Sequence, residues 1–576
     1  MKFRDLAAVF ERLDQVTARN EMTGILADLY AVVDGDEISQ ITYLLQGRLA
    51  PRFIDLEFGV GKELLLDALA QAFNRQRTEV DEVFRRTGDL GSAAECLTKH
   101  RGTDLSVSDV FTRLREVAQA DGVGSQDRKV QGIVALLQEL DARSNRYLPR
   151  IPIGRLRLGV GDPTVMDALS AAKVGDKSER QVVERAYNLT SDLGLVAREY
   201  VRGGRPAMTA ITVRVGYPVR MAQAERLSSG AEIVEKIGRA AIEPKFDGFR
   251  VQIHRDGLCV RIYSRNLEDM TEMFPDITRA VLTQVRADQA IFEGEAMGID
   301  PDSGEFLPFQ NTVKRKRKHG VNAAVEKTPL IVEAFDVLFD GEDVTTLPLS
   351  ERRRRLQALI GPGMGIVMSE VMETSQPEAI DRFFRQQVDA GLEGVVAKRL
   401  DAPYEAGKRN FSWIKLKRSY SASLNDTLDC VLVGYWRGMG KRTAWGIGSL
   451  LSAVWDPVDE KYRTIARIGT GYSDQEWIRI RELLDANALA EQPASVDSRV
   501  EPHVWTDPKY VVEVLADEIT KSPTHTAGRT GNDEYGLALR FPRVLNFVRA
   551  DKGPTDATTV AEAQAMYERQ GRVGNG

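Results

Sequence analysis

Glu243-Pro244-Lys245-Phe246-Asp247-Gly248-Phe249-Arg250 is the stretch on which the reading of this chain turns. From Phe249 the sequence alternates, with Phe249, Val251 and Ile253 on one face and Arg250, Gln252 and His254 on the other. A period of two predicts a half-buried strand. Asp256-Gly257 supplies a tight turn, and Leu258, Val260 and Ile262 resume the alternation, so a β-hairpin is predicted. Lys245 then lies beside the hairpin, at a sheet edge, where rigid backbone can aim it. A nucleophilic lysine needs such a place, because its amine must be held, partly desolvated and deprotonated. A lone strand-end lysine is usually only solvated, so the rest of the chain decides.

Downstream, strands alternate with helices. Tyr263-Ser264-Arg265-Asn266 ends a strand on a cation, and residues 290–297 form a strand carrying Glu293 and Glu295. Residues 330–338 form another, with Phe335 and Asp336 inside it. Helices are predicted over 349–360 and 377–389, and a short buried strand over 393–398. Trp413-Ile414-Lys415-Leu416-Lys417 alternates, which puts Lys415 and Lys417 on one face. Two neighbouring lysines repel unless an anion lies between them, and a phosphate would serve. The runs Lys314-Arg315-Lys316-Arg317-Lys318 and Arg352-Arg353-Arg354-Arg355 read as solvated basic faces.

Upstream, residues 1–207 read as helical, for example 3–13, 63–73, 107–120 and 129–140. An internal echo runs through this region. Leu56-Glu57-Phe58-Gly59-Val60-Gly61 precedes Asp67-Ala68-Leu69, and Leu156-Arg157-Leu158-Gly159-Val160-Gly161 precedes Asp167-Ala168-Leu169. A glycine-rich turn opening a helix exposes backbone N–H groups at the positive end of its dipole, a setting that favours phosphate. Arg48 and Arg52 lie ahead of the first turn, and Arg146, Arg150, Arg155 and Arg157 at or ahead of the second. The pair reads as a pseudo-symmetric grip on two backbone positions of a duplex. Gly203-Gly204-Arg205-Pro206 breaks the helical pattern, and 209–215 then alternates like a strand.

From 419 onward the chain reads as β-rich, with strands over 427–435, 449–455, 462–468 and 510–519, and a helical tail after Ala557. A five-stranded barrel of the oligonucleotide-binding type fits that size and spacing. At 576 residues, roughly three domains are expected. Net charge is −6, which argues against a uniformly basic nucleic-acid binder but leaves room for a local basic surface. No apolar run is long enough for a membrane helix, and the start lacks a signal-like core. Cys96, Cys259 and Cys430 are too scattered for a disulfide framework or a four-cysteine zinc site. A reducing, cytoplasmic setting follows.

Taken in order, Lys-x-Asp-Gly-x-Arg, Ser-Arg-Asn, Glu-Gly-Glu, Ala-Phe-Asp, Glu-Gly-Val-Val, Lys-Leu-Lys and the closing Arg540-Phe541-Pro542-Arg543 with Arg549-Ala550-Asp551-Lys552 resemble the motifs of ATP-dependent DNA ligases. The wider chain resembles the replicative ligase I type of archaea and eukaryotes. The resemblance implies a multidomain protein: an all-α DNA-binding domain (1–207), an α+β nucleotidyltransferase or adenylation domain (208–418) and a β-barrel OB-fold domain (419–576). It implies nick sealing in replication, recombination and repair, with ATP and Mg²⁺ or Mn²⁺.

By the same resemblance, Lys245 becomes a lysyl-AMP and Glu243 accepts from the adenine 6-amino group. Phe335 stacks on the base, and Arg250 and Glu295 address the ribose and phosphate side. Arg265, Arg409, Lys415 and Lys417 contact phosphates, and Asp247 with Glu393 holds the metal. Arg540, Arg543 and Lys552 orient pyrophosphate, with a hinge near residues 418–423. Arg155, Arg157 and the glycines at 59, 61, 159 and 161 grip nicked double-stranded DNA. Val219-Arg220-Met221-Ala222 stands where the family carries a proline-methionine-leucine element. No clear sliding-clamp motif occurs near the N-terminus, and a monomer is expected. An RNA ligase or mRNA capping guanylyltransferase shares the lysine motif and is the alternative. A non-catalytic DNA-binding scaffold is a third reading, which the intact motifs oppose.

Overall fold

The computed structural model describes residues 1–154, 156–307, 309–317, 319–417, 427–438, 440–529 and 535–572. The segment read as a hinge, 418–423, and Arg155 lie outside them. The chain divides into two compact units. One comprises Met1–Glu225, Ile237–Glu373 and Lys398–Ile414, and the other Arg226–Lys236, Thr374–Ala397 and Lys415–Gly576.

In the first unit, helices Phe3–Asp14, Lys62–Ala72, Val107–Gln119 and Ser125–Glu139 stand where the spacing of apolar residues places them. Leu6, Phe10 and Leu13 on the first are fully buried. The two Gly-Val-Gly turns share one backbone form. Gly61 and Gly161 are the N-caps of Lys62–Ala72 and Asp162–Val174, and Gly59 and Gly159 lie at φ +59° and +70°. That conformation strains any residue with a Cβ, so the echo in sequence is an echo in geometry.

The predicted hairpin is present. Strands Phe249–Asp256 and Cys259–Ser264 pair antiparallel, with Asp256 opposite Cys259 and Gly257 at φ +59° in the turn. Gln289–Gly298, Leu330–Asp340 and Ile366–Met368 extend the sheet, antiparallel except for the last pair. One face packs Val251, Ile253, Phe292 and Val332 against Ile277 and Val281 of helix Pro275–Gln284. The other face is buried as well, which the half-buried reading did not anticipate. Its polar residues satisfy one another: Gln252 Nε2 donates to Glu293 (3.0 Å) and to the Val219 carbonyl (3.0 Å), while its Oε1 accepts from the Val219 amide (2.7 Å). His254 accepts from the Gly216 amide through Nδ1 at 3.1 Å, and burial pushes its pKa down to about 3.

In the second unit, Leu428–Trp436 pairs antiparallel with Ser449–Asp456, Val504–Thr506 and Val511–Leu515, and Ser449–Asp456 with Lys461–Ile468. Leu432, Leu450 and Ile465 form its core with Trp477 and Ile480. Those two side chains come from helix Asp474–Asp485, which the sequence reading passed over. Its signal was the capping box Ser473-x-x-Glu476.

Three expectations need correction. Residues 209–215 are not a strand: after a kink at Gly204 the helix Leu193–Ala210 resumes, and the Val213 amide is taken by Asp343 rather than by a ladder. The strand read over 510–519 is two, Val511–Leu515 and Glu518–Ser522, with different partners. The basic runs are not simply solvated. Arg315 is buried against Asp276 (2.8 Å) and Arg352 against Asp336 (2.8 Å), because each guanidinium finds a carboxylate partner. Lys318 lies outside the described residues. The cysteines are free, and among the described residues no helix is long and apolar enough to cross a membrane.

Candidate active site

Lys245 is the last residue of its own strand, Ala240–Lys245, whose first five residues are buried. It does not border the hairpin sheet as expected; it belongs to a separate sheet. The reason lies in the Asp-Gly that follows. A Cβ on Gly248 would stand 2.5 Å from the Ala296 carbonyl oxygen, so only glycine lets the chain turn tightly onto that sheet. The Gly248 amide donates to Glu295 Oε1 at 3.2 Å, which ties the turn after Lys245 to the Glu-Gly-Glu strand.

Glu243 is almost fully buried and held from both sides. Arg353 Nη1 lies 2.7 Å from its Oε1 and Lys398 Nζ 2.6 Å from its Oε2. Neither cation was assigned a role from sequence; the only signal for Arg353 was the four-arginine run. Lys398 Nζ also sits 4.3 Å from the ring centres of both Phe335 and Trp413. Burial draws the Lys398 pKa down, against the pull of Glu243. Phe335 meets Trp413 edge-on at 6.0 Å.

Arg250 points under these rings, 5.5 Å from Phe335 and 5.0 Å from Trp413. Its Nη2 donates to Glu293 at 2.8 Å and its Nη1 to the Ala222 carbonyl at 2.6 Å. Glu293, left unassigned from sequence, is therefore the hub: fully buried, it also accepts from Tyr404 at 2.9 Å. Val219, Met221 and Ala222, where the family's proline-methionine-leucine element is replaced, are buried on this network. Arg409 donates to Gln223 at 3.1 Å, and Arg265 is exposed at a cavity rim.

Within the second unit, Lys417 Nζ lies 2.8 Å from Glu393. The alternation over 413–417 holds for Ile414 and Leu416, which are buried, against Lys415 and Lys417, which are partly exposed. Arg540 lies 3.7 Å from Glu518 and is exposed, as is Arg543, while Lys552 pairs with Asp429. In the first unit, Arg157 is half exposed near Asp89 (3.4 Å), but Arg146 and Arg150 are spent on internal carboxylates.

Among the described residues no group of three or more His, Cys, Asp or Glu gathers to hold a metal unaided. Carboxylate oxygen, carried by Asp247 in the first unit and by Glu393 in the second, is the donor type that Mg²⁺ takes alongside phosphate and water.

Glu333 faces Glu295 across the sheet, and burial, reinforced by Glu370, pushes its carboxyl up to about 7. The folded state thus keeps a proton that an unfolded glutamate, with its ordinary pKa of 4.5, releases. Stability from this site is full below pH 4.5 and is lost as pH rises through 7. Glu333→Gln should match the parent in melting temperature at the low end of that window. By pH 8 it should melt higher; melting curves at both ends check this.

A buried carboxylate held by two cations thus stands two residues before a strand-end lysine, the centre of this site. Family models match three stretches: DNA ligase N terminus over 2–170, ATP dependent DNA ligase domain over 221–417 and ATP dependent DNA ligase C terminal region over 443–552. A probable DNA ligase of Dictyoglomus turgidum is 51% identical, covering 99% of this chain and 98% of its own. A DNA ligase of Aeropyrum pernix is 40% identical, covering 99% and 98%. A solved structure titled Pmar-Lig_PreS3 is similar in fold, with a TM-score of 0.52, 17% identity, and coverage of 93% of this chain and 98% of that one. The chain belongs to the ATP-dependent DNA ligase family, with a nucleotidyltransferase core and a strand-rich C-terminal region.

Proposed function

We propose that this enzyme seals nicks in double-stranded DNA through a lysyl-AMP at Lys245, as part of replication, recombination and repair in the cytoplasm. The observation that carries the reading is Glu243 fixed by Arg353 and Lys398 two residues before that lysine. A carboxylate so held presents acceptors only, which suits the adenine 6-amino group and opposes the guanine oxygen.

The Lys245 amine attacks the α-phosphorus of ATP, the bond to pyrophosphate breaks, and the amine loses its proton. A 5′-phosphate oxygen at the nick then attacks the same phosphorus; the P–N bond breaks and the amine regains a proton. The 3′-hydroxyl finally attacks the 5′-phosphorus, AMP leaves and the backbone is continuous. Arg250 and Glu295 orient the ribose and phosphates, Phe335 stacks on adenine, Arg409, Lys415 and Lys417 neutralise charge on phosphoryl oxygens, and Arg265 contacts a phosphate. Asp247 and Glu393 would hold Mg²⁺ or Mn²⁺, which when bound supplies charge neutralisation at the phosphates. Arg540, Arg543 and Lys552 would orient pyrophosphate. Residues 1–207 would bind DNA, 208–418 adenylate and 419–576 form the OB-fold barrel. Arg157 and the turns at Gly59, Gly61, Gly159 and Gly161 would take backbone phosphates.

Incubation with α-labelled ATP, GTP or NAD and Mg²⁺ tests this. Label on the chain from ATP, followed by sealing of a nicked duplex, is expected. Label from GTP alone, or none, would instead favour a capping enzyme or a scaffold.

A further inference from the structure

We propose that Arg52, Arg220 and Arg265 form one binding site for a backbone phosphate of the nicked duplex, a reading that rests on the function proposed above. The three arginines, from the helical region, the following connection and the hairpin's end, line a single cavity of about 280 Å³. Among the described residues its only acidic lining residue is Asp162, so these walls carry a surplus of two positive charges. Asp162 is also the most committed group there. It accepts from Tyr187 at 2.6 Å and Gln46 at 2.7 Å, and Arg220 Nη1 stands 3.5 Å away. Arg220 stacks on the Tyr187 ring at 4.8 Å. Arg52 and Arg265 are exposed and have no carboxylate at ion-pair distance among the described residues. Three guanidinium groups around one small space repel one another unless an anion joins them. Arg48, just outside, shows the same strain: burial and then the charge of Arg52 draw its pKa down.

A polyanion fits better than a free anion, because the cavity is not isolated. It shares Arg52 and Asn266 with an adjoining cleft of about 750 Å³ that runs past Gly59 and Gly61. That cleft is mixed in sign, with Asp55, Glu57, Glu268 and Asp269 facing Arg48 and Arg52. Its carboxylates outnumber its arginines, so the phosphate site is the smaller cavity. Asp162 becomes an internal stand-in that holds Arg220 until phosphate competes for it.

The test uses the full chain and a fluorescent nicked duplex over a salt series. Arg52→Ala and Arg220→Ala should each weaken binding about tenfold and lower the salt slope by about one. Asp162→Asn should leave binding equal or tighter. If Arg220 serves only to hold Asp162 in place, Asp162→Asn and Arg220→Ala will weaken binding alike, and the proposal falls. It falls too if the slopes do not change. The rival anion is the triphosphate of ATP. A higher ATP requirement for lysyl-AMP formation, with DNA binding intact, would assign the cavity to nucleotide and overturn the proposal. Failure of lysine labelling in the unmodified chain would remove the proposed function but not touch the DNA-binding result, so the two can be told apart.

Discussion

Lys245→Ala should reduce labelling from α-labelled ATP by about a thousandfold or more, to background, while a nick already carrying 5′-AMP is still sealed within an order of magnitude of the parent rate. The first two steps make and break a phosphorus–nitrogen bond, and alanine offers no nitrogen. The last step exchanges a 3′-oxygen for AMP on the DNA and needs no amine. Lys245 ends a strand whose other five residues are buried, so trimming its side chain should leave the fold intact. Loss of both activities together would mean that Lys245 shapes the site rather than carrying AMP. Retained labelling would place the nucleophile elsewhere. Radiolabel transfer and sealing of a pre-adenylylated substrate separate these outcomes.

The second large effect is expected at Glu293. Glu293→Gln keeps the shape but removes the charge that faces Arg250 at 2.8 Å in a fully buried setting. Burial alone would depress the Arg250 pKa, yet Glu293 holds it above the usual value. Without that partner a buried guanidinium is uncompensated, a change of about 3–5 kcal/mol. The same carboxylate takes Tyr404 and Gln252, so the buried segment around Val219 and Ala222 should loosen as well. Denaturant unfolding should show the loss, and lysyl-AMP formation should fall with it. The double variant Arg250→Met with Glu293→Leu should unfold at a higher denaturant concentration than Glu293→Gln, because removing both charges is less costly than stranding one. If the single variant is the more stable, the pair is not coupled in this way.

Periodicity accounted for much of the fold. The alternation from Phe249 to Ile262 predicts the hairpin, and the repeated Gly-Val-Gly predicts two like turns, because both signals are local. It failed where a neighbour outside the window decided the outcome. Residues 209–215 alternate, but Val213 finds Asp343 instead of a strand. Arg352 and Arg353 stand in a run that looks solvated, yet helix Leu349–Leu359 turns Arg352 toward Asp336 and Arg353 toward Glu243. Charge runs state composition; only packing states which cation meets which carboxylate.

The sequence by itself determined the family and the residues that deserve testing, since a nucleotidyltransferase needs its lysine, carboxylates and cations in order along the chain. The tertiary structure decided how those residues are held. It placed Glu243 between two cations and made Glu293 the anchor of Arg250. It also gathered Arg52, Arg220 and Arg265, 168 and 45 residues apart, around one cavity. Those contacts join positions far apart in sequence, and Coulombic and hydrogen-bonding energies depend on distance in space, which no local pattern encodes.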